Sequence, residues 1–234
     1  MTATPPQKGW GLPAATSVLA VCAHPDDESF GLGAVLSGFV ERGTRVSLLC
    51  FTRGEASTLG VDGTALDERR HVELTRAAAE LGIGRVSLLD HPDGSLTGQP
   101  LDRLAGEVAA AADEVAADLL VVFDADGVTG HPDHRRATEA ALAGAPALPV
   151  LAWAVPHRVA AALNAEFGTT FVGRPAEEVD LVLVVDRARQ CRAIAWHASQ
   201  CDDNPVLERR LGLLGDTEAL RWLRRPGADE AGHR

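Results

Sequence analysis

The chain has 234 residues, 46% of them hydrophobic, and carries a formal net charge of -11 with a sequence pI near 5.1. That length and apolar content suit one domain of ordinary to generous size with a sizeable core, and nothing in the composition signals disorder. The acidic balance repels nucleic-acid phosphates and anionic membrane surfaces, which excludes both as partners, yet it leaves room for a small anionic ligand held locally by arginine.

Residues 1–13 lack the basic region followed by an apolar stretch that marks a signal peptide, and they are expected to be flexible, as is the tail 227–234. The apolar run Ser17–Cys22 predicts a buried strand, and Phe30–Glu41 has helical spacing. Arg45–Phe51 predicts a second strand, followed by a Gly-, Thr- and Ser-rich loop, Thr52–Asp67, long enough to be functional. Leu66–Leu81 predicts a helix, Val86–Leu89 a strand, and the alanine-rich Leu101–Ala116 a strong helix. Leu119–Phe123, Val150–Val155 and Val179–Val185 complete the strands, with helices over Asp133–Leu142 and Arg187–Ala198. The strand runs lack strict polar alternation, as strands covered on both faces do.

The alternation implies an α/β fold: a doubly wound, mostly parallel, Rossmann-like sheet with helices on both faces and a small C-terminal extension, read as a single domain over 1–234. Ligands of such sheets bind outside the carboxyl ends of the strands. Cys22, Cys50, Cys191 and Cys201 form no CxxC pair, so reduced thiols and a cytoplasmic location are expected. No apolar run reaches transmembrane length. Self-association into a homo-oligomer is left open.

The tripeptide His-Pro-Asp occurs three times, at His24, His91 and His131. Proline pushes the residue before it into extended geometry, so each histidine should cap a strand end and all should face one rim of the sheet. The first motif expands to Ala23-His24-Pro25-Asp26-Asp27-Glu28 and the third to Gly130-His131-Pro132-Asp133-His134. Together they offer two histidines and a carboxylate to one cation, with a coordination position left open, as in catalytic rather than structural zinc sites. A carboxylate then remains to take a proton and a histidine to face an oxyanion. Carboxylates capping a helix N-terminus would explain Asp27 or Glu28 alone, but not His24 arriving with His131 and His134. Spacing does not decide between Asp26 and Asp27 as the ligand. The two-histidine, one-carboxylate pattern also fits Fe(II), although that pattern does not transfer between folds.

AHPDDE after the first strand and GHPDH after a later one resemble the PIG-L/LmbE-like de-N-acetylases, the family that includes the deacetylases of mycothiol, bacillithiol and glycosylphosphatidylinositol biosynthesis. The resemblance runs from about Val18 to Gln200 and extends to Thr52-Arg53-Gly54-Glu55, Arg70-His71-Val72-Glu73, Asp93-Gly94 and His197-Ala198-Ser199-Gln200. It implies a zinc-dependent hydrolase that removes an N-acetyl or other N-acyl group from an amino-sugar-like substrate, such as an N-acetylglucosamine derivative or a glycoside. Position by position, it implies Zn2+ (or Fe2+ in the cell) held by His24, Asp27 and His134. Asp26 would be the general base toward the attacking water, and His131 the imidazolium facing the tetrahedral oxyanion. Arg70 and Asp93 would contact sugar hydroxyls or a charged part of the substrate. Mycothiol-pathway members carry a tyrosine two residues before the first histidine of GHPDH. This chain has no tyrosine and places Thr129 there, so that assisting role is absent or taken by another group.

Other residues have plainer readings. Glu73 is expected to pair on its own helix, Glu55 to be a surface carboxylate, and His197 to take a capping or core role unless it approaches the site. His91 is expected to be structural, and His71, His157 and His233 to lie on the surface. Trp153, Trp196 and Trp222 are expected to be core anchors. Competing functions are an amidase on a larger thiol conjugate or natural-product glycoside, and a non-catalytic sugar- or metal-binding module. A module that had lost turnover would be expected to lose Asp26, which this chain keeps. A nucleotide-binding role fails because no G-x-G-x-x-G follows the first strand.

Overall fold

A computed structural model describes residues 11–59, 66–202 and 204–227. The expectations for residues 1–10, for 228–234 with His233, and for the stretch 60–65 of the long loop lie outside them. In chain order the elements are β1 (Ser17–Cys22), α1 (Asp27–Phe30), α2 (Gly33–Glu41), β2 (Arg45–Thr52), α3 (Leu66–Leu81), β3 (Arg85–His91), α4 (Leu101–Glu114), β4 (Leu119–Phe123), α5 (Pro132–Gly144), β5 (Val150–Pro156), α6 (His157–Phe167), β6 (Gly173–Arg174), β7 (Leu181–Val184), α7 (Ala188–Trp196), α8 (Ala198–Cys201), α9 (Pro205–Leu214) and β8 (Thr217–Arg224).

The sheet order is β3-β2-β1-β4-β5-β8-β7, with β6 paired to the end of β5. Strands β3 through β5 are mutually parallel, whereas β8 runs antiparallel to both β5 and β7. The chain winds outward from β1 through β2 to β3, then crosses back and winds the other way from β4 to β5. The point where the direction reverses lies between β1 and β4, which is where a doubly wound sheet opens its ligand crevice.

Period-two alternation divides the core. Along β1, Val18, Ala20 and Cys22 join one buried cluster with Val35, Phe39, Leu74 and Trp153 from α2, α3 and β5. Leu19, Val21 and Ala23 join the other, with Leu104, Val108 and Ala140 from α4 and α5. Burial on both faces accounts for the uninterrupted apolar strands.

Three features differ from the sequence expectation. The helix expected over Phe30–Glu41 is interrupted at Gly31 and Leu32, where the Phe123 ring packs so close that a Cβ at Gly31 would meet it at 2.5 Å. The stretch Arg187–Ala198 likewise divides into α7 and α8. The extension after β5 is larger than expected, with α6, α9 and β8 unforeseen. Among the described residues no helix is long and apolar enough to cross a membrane.

Candidate metal centre and active site

The carboxyl ends of β1 and β4 deliver the first and third His-Pro-Asp motifs to one spot. His24 follows β1, and Asp27 opens α1. Asp27 Oδ2 accepts the backbone N–H groups of Ala23 and His24 at 3.0 Å each, leaving Oδ1 to face His134 Nε2 at 3.1 Å. His24 Nδ1 lies 3.1 Å from the same nitrogen and 3.9 Å from Asp27 Oδ2. Ligands bound ~2.0–2.1 Å from a tetrahedral cation lie about 3.3–3.4 Å apart, so these spacings fit one ion. His24, Asp27 and His134 are all buried.

The outer nitrogens of the two rings support the same fit. His134 Nδ1 faces the Gly127 carbonyl at 3.1 Å, an oxygen that can only accept, so this nitrogen carries the proton. His24 Nε2 faces Asp93 Oδ1 at 3.1 Å and Asp133 Oδ2 at 3.5 Å. In the neutral rings two lone pairs would then confront each other across 3.1 Å, an arrangement that a cation satisfies and packing alone does not. Burial opposes charge on His24, but bonds to Asp133 and Asp93 and the charge of Asp27 raise the ring to about 10. A metal bound there would take the place of that proton. Burial also works against the charge on Asp27, yet His134 and His24 hold its carboxyl well below the usual range.

Asp26 is outside the ligand set. Its φ of 125° lies in a region that non-glycine residues rarely occupy, and its surroundings over-determine it. Its N–H donates to Glu28 Oε2 at 3.0 Å, and its carbonyl accepts from Ser29 at 2.9 Å and Phe30 at 2.7 Å. Arg70 Nη2 donates to Asp26 Oδ2 at 2.8 Å and to the Pro25 carbonyl, while Nη1 donates to the Gly54 carbonyl at 2.7 Å. Gly54 allows this, since a Cβ there would fall within the guanidinium. Burial pushes the Asp26 carboxyl up to about 6 against the opposing charge of Arg70, with Asp27 adding to the rise.

A second layer locks the turn to the C-terminal half. Glu28 is fully buried and pairs with His197 at 2.7 Å and the Ser29 hydroxyl at 2.5 Å. Glu73 accepts the Ser199 N–H at 3.0 Å and its hydroxyl at 2.5 Å, besides pairing with Arg69 on its own helix. His197 therefore reaches the site through Glu28 and leaves the cavity wall to Gln200.

His131 caps α5, its Nδ1 accepting the Asp133 N–H at 3.2 Å, so the ring proton sits on Nε2. Burial, then the neighbouring His24 and His134, hold its pKa below the ordinary value. The Nδ1 bond leaves Nε2–H as the donor of this ring. Asp133, to which sequence reasoning gave no role, accepts the N–H groups of Gly94 at 2.8 Å and Leu96 at 3.1 Å and backs His24. Its only cue was the repetition of His-Pro-Asp. Thr129 Oγ1, in the tyrosine's place, lies 3.0 Å from His134 Nδ1.

His24, Asp26, Asp27, Thr129, His131 and His134 line a cavity of about 620 Å³, ample for a sugar-sized ligand. Arg70 and Asp93 line it as a substrate role requires, but each also bonds the catalytic groups: Arg70 holds Asp26, and Asp93 backs His24 and accepts the Ala56 N–H. Glu55 is exposed and accepts the Asp93 N–H at 2.8 Å. The third expected histidine does not converge: His91 turns away to Glu107 at 2.6 Å, as a structural residue would. Arg210, Asn204 and Leu207 of the C-terminal segment complete the wall, and no motif announced them. Trp153 is a core anchor, Trp222 is half-buried, and Trp196 is 41% exposed beneath Arg76.

The PIG-L family model, described as GlcNAc-PI de-N-acetylase, matches residues 19–145, more than half of the chain. A 1D-myo-inositol 2-acetamido-2-deoxy-alpha-D-glucopyranoside deacetylase of Nakamurella multipartita is 31% identical, the match covering 79% of this chain and 80% of that protein. The chain belongs to the PIG-L family. With another deacetylase so named, the matched stretch spans only 43% of the relative's length. Among solved structures, the 4-carboxy-2-hydroxymuconate hydratase GalB of Pseudomonas putida aligns with TM-score 0.69 at 19% identity, covering 90% of this chain and 97% of that one. An N,N'-diacetylchitobiose deacetylase from Pyrococcus horikoshii aligns with TM-score 0.64 at 20% identity, covering 90% and 84%. At such identities these likenesses establish the fold alone, a PIG-L fold that carries more than one chemistry.

Proposed function

We propose that this PIG-L protein is a zinc-dependent amide hydrolase, working as a single domain, that removes an N-acetyl group from an amino-sugar-like substrate such as an N-acetylglucosamine derivative. One observation carries the reading. Two imidazole nitrogens and a carboxylate oxygen, those of His24, His134 and Asp27, converge at zinc-ligand spacing, with Asp26 and His131 on the same cavity and outside that trio. His131 also groups with His24 and Asp133, but that set includes no second buried histidine. A relative that acts on a 2-acetamido-2-deoxy-glucopyranoside supports the amino-sugar class.

Zinc in that cluster would supply Lewis acidity toward water and the acyl carbonyl. Asp26 takes the proton of the attacking water while Arg70 holds its Oδ2 in place. His131 Nε2–H donates to the oxygen of the acyl carbonyl as its carbon becomes tetrahedral. Asp26 then returns the proton to the departing nitrogen, the C–N bond breaks, and acetate and the free amine leave. Gly127 and Asp93 fix the ring orientations of His134 and His24 throughout.

The test is metal analysis of the purified protein paired with amine release from acetamido sugars before and after chelation. One zinc per chain and chelator-sensitive release are expected. Asp26→Asn should keep the metal and lose turnover by about 10²–10⁴-fold, the range for a general base. A protein that takes up no metal when zinc is supplied, or an Asp26→Asn variant with full activity, would rule the reading out.

A further inference from the structure

Arg210 on α9 is 6% exposed and lines the cavity that holds the metal cluster. Its Nη2 donates to the Phe30 carbonyl at 2.5 Å, and its guanidinium lies 5.2 Å from the Trp153 ring centroid. Its Nε has no hydrogen-bond partner. No carboxylate among the described residues pairs with it. Glu218, the acid that most influences it, is committed to Arg187 at 2.5 Å and to Trp153 Nε1 at 2.8 Å. Burial lowers even this arginine to about 10. Asp26 and Asp27 also act on its charge through space, but no carboxylate among the described residues accepts a hydrogen bond from it. A buried guanidinium without a bonded counter-ion is costly, and tethering α9 to the Phe30 carbonyl would need only a neutral donor.

The other groups on this side of the cavity make a poor counter-charge. Phe30, Phe171, Val206 and Leu207 are apolar, and Asn204 is neutral. The carboxylates that line the cavity, Asp26, Asp27 and Asp93, are taken up by Arg70 and the histidines. Arg70, the other cation lining the cavity, is committed to Asp26. Arg210 is therefore a buried positive charge with donor capacity to spare, sharing one cavity with the reacting groups.

We infer that Arg210 is the anion-recognising residue of this pocket, and that the preferred substrate is an acylated amine bearing a carboxylate or phosphate elsewhere in the molecule. The inference rests on the hydrolase reading and names the substrate class of the same site. A guanidinium offers a carboxylate or phosphate charge-assisted, often bidentate hydrogen bonds. Such bonds make a difference of about tenfold or more in affinity over a neutral analogue.

The experiment measures binding, so that it stays separate from turnover. Zinc-loaded protein carrying Asp26→Asn is titrated calorimetrically with methyl N-acetylglucosaminide, N-acetylglucosamine 6-phosphate and N-acetylmuramic acid. At least one of the two anionic sugars should bind tenfold or more tightly than the neutral one, and which of them does so separates phosphate from carboxylate. Adding Arg210→Gln should bring the ratio close to one. Arg210→Lys, which keeps the charge and loses the fork, should leave an intermediate ratio and provides the check if the glutamine variant fails to fold. Equal binding of neutral and anionic sugars, or a preference that survives both substitutions, would overturn the inference. Failure of the hydrolase reading looks different: unsubstituted protein would then release no amine from any of the three sugars, whatever their affinities.

Discussion

The metal rim and the C-terminal wall of the same cavity are built in different ways. The rim consists of two turns, 23–28 and 127–134, in which Asp27, His131 and His134 are fixed by backbone groups a few residues away, while His24 and Asp26 lean on Asp93 and Arg70 from other elements. Asp27 is held by the N–H groups of Ala23 and His24, His134 by the Gly127 carbonyl, and His131 by the Asp133 N–H. The wall segment, residues 197–202 and 204–210, is held by contacts across the chain: His197 to Glu28, Ser199 to Glu73, Gln200 to Ser57, and Arg210 to Phe30. Local fixation preserves a ligand geometry wherever the two strands end side by side. Long-range fixation lets the wall change without disturbing the ligands. On this division the proposed chemistry would belong to the rim and the proposed choice of substrate to the wall.

The largest effect expected from the division is on the rim. Asp27→Ala should reduce bound zinc from one per chain to a small fraction and lower turnover about a thousandfold or more, since metal activation is worth several kcal/mol. Gln200→Ala on the wall should keep full zinc content and act mainly on KM. Metal analysis and steady-state kinetics on the two variants decide it. Loss of zinc in the Gln200 variant would dissolve the distinction.

The next effect tests the bolt between the halves. Glu28 and His197 are both completely buried, so His197→Ala leaves a charged carboxylate without its partner and should cost about 3–5 kcal/mol of stability. Combining it with Glu28→Gln should recover part of that loss, which a double-mutant cycle by denaturant unfolding would measure. The sign with pH follows from the histidine. Burial would lower His197, but the charge of Glu28 and the bond to it leave the ring raised. Its contribution is therefore complete below the unfolded histidine value of about 6.5 and is lost as pH rises through the folded value. Over that window the unsubstituted protein should lose stability relative to the variant. A constant difference between the two would mean that the pair is not charged.

The same division explains what could be read in the sequence. The strands β1, β2, β4 and β5 and the meeting of His24 with His134 at one rim are legible because each depends on its neighbours: an apolar run, a proline after a histidine, a turn. The choice of Asp27 over Asp26 came from the family resemblance alone. What the sequence leaves open depends on partners far along the chain. Arg70 lies 44 positions from Asp26, so nothing near it distinguishes a residue that holds the base from one that holds a sugar. Asp93 meets His24 only because β2 separates β3 from β1 in the sheet. Strand β8 (TEALRWLR) has no clean alternation, and its place between β5 and β7 comes from pairing Trp153 with Leu220 and Leu181 with Leu220. Arg210 follows Arg209, which is paired at the surface with Glu166 at 2.8 Å, and local sequence does not separate the two.

The smallest expected effect lies within the rim, at the position where relatives in the mycothiol pathway have tyrosine. The Thr129 hydroxyl lies 3.0 Å from His134 Nδ1, but that nitrogen also has the Gly127 carbonyl at 3.1 Å. Only one of these can be the acceptor of its single proton at a time, and the carbonyl is fixed by a turn in which Gly127 has φ 80° and Val128 φ 61°. At Gly127 a Cβ would come within 2.9 Å of the His131 carbonyl, so the turn requires a glycine there. Removing the hydroxyl therefore leaves the ring oriented. Thr129→Val should weaken zinc binding less than tenfold, below the ~10–100-fold typical of losing a sole supporting group, and should leave the fold intact. A chelator-competition titration measures this directly. A loss of a hundredfold or more would show that the hydroxyl, and not the backbone, holds His134, and that this part of the rim is less locally fixed than the rest.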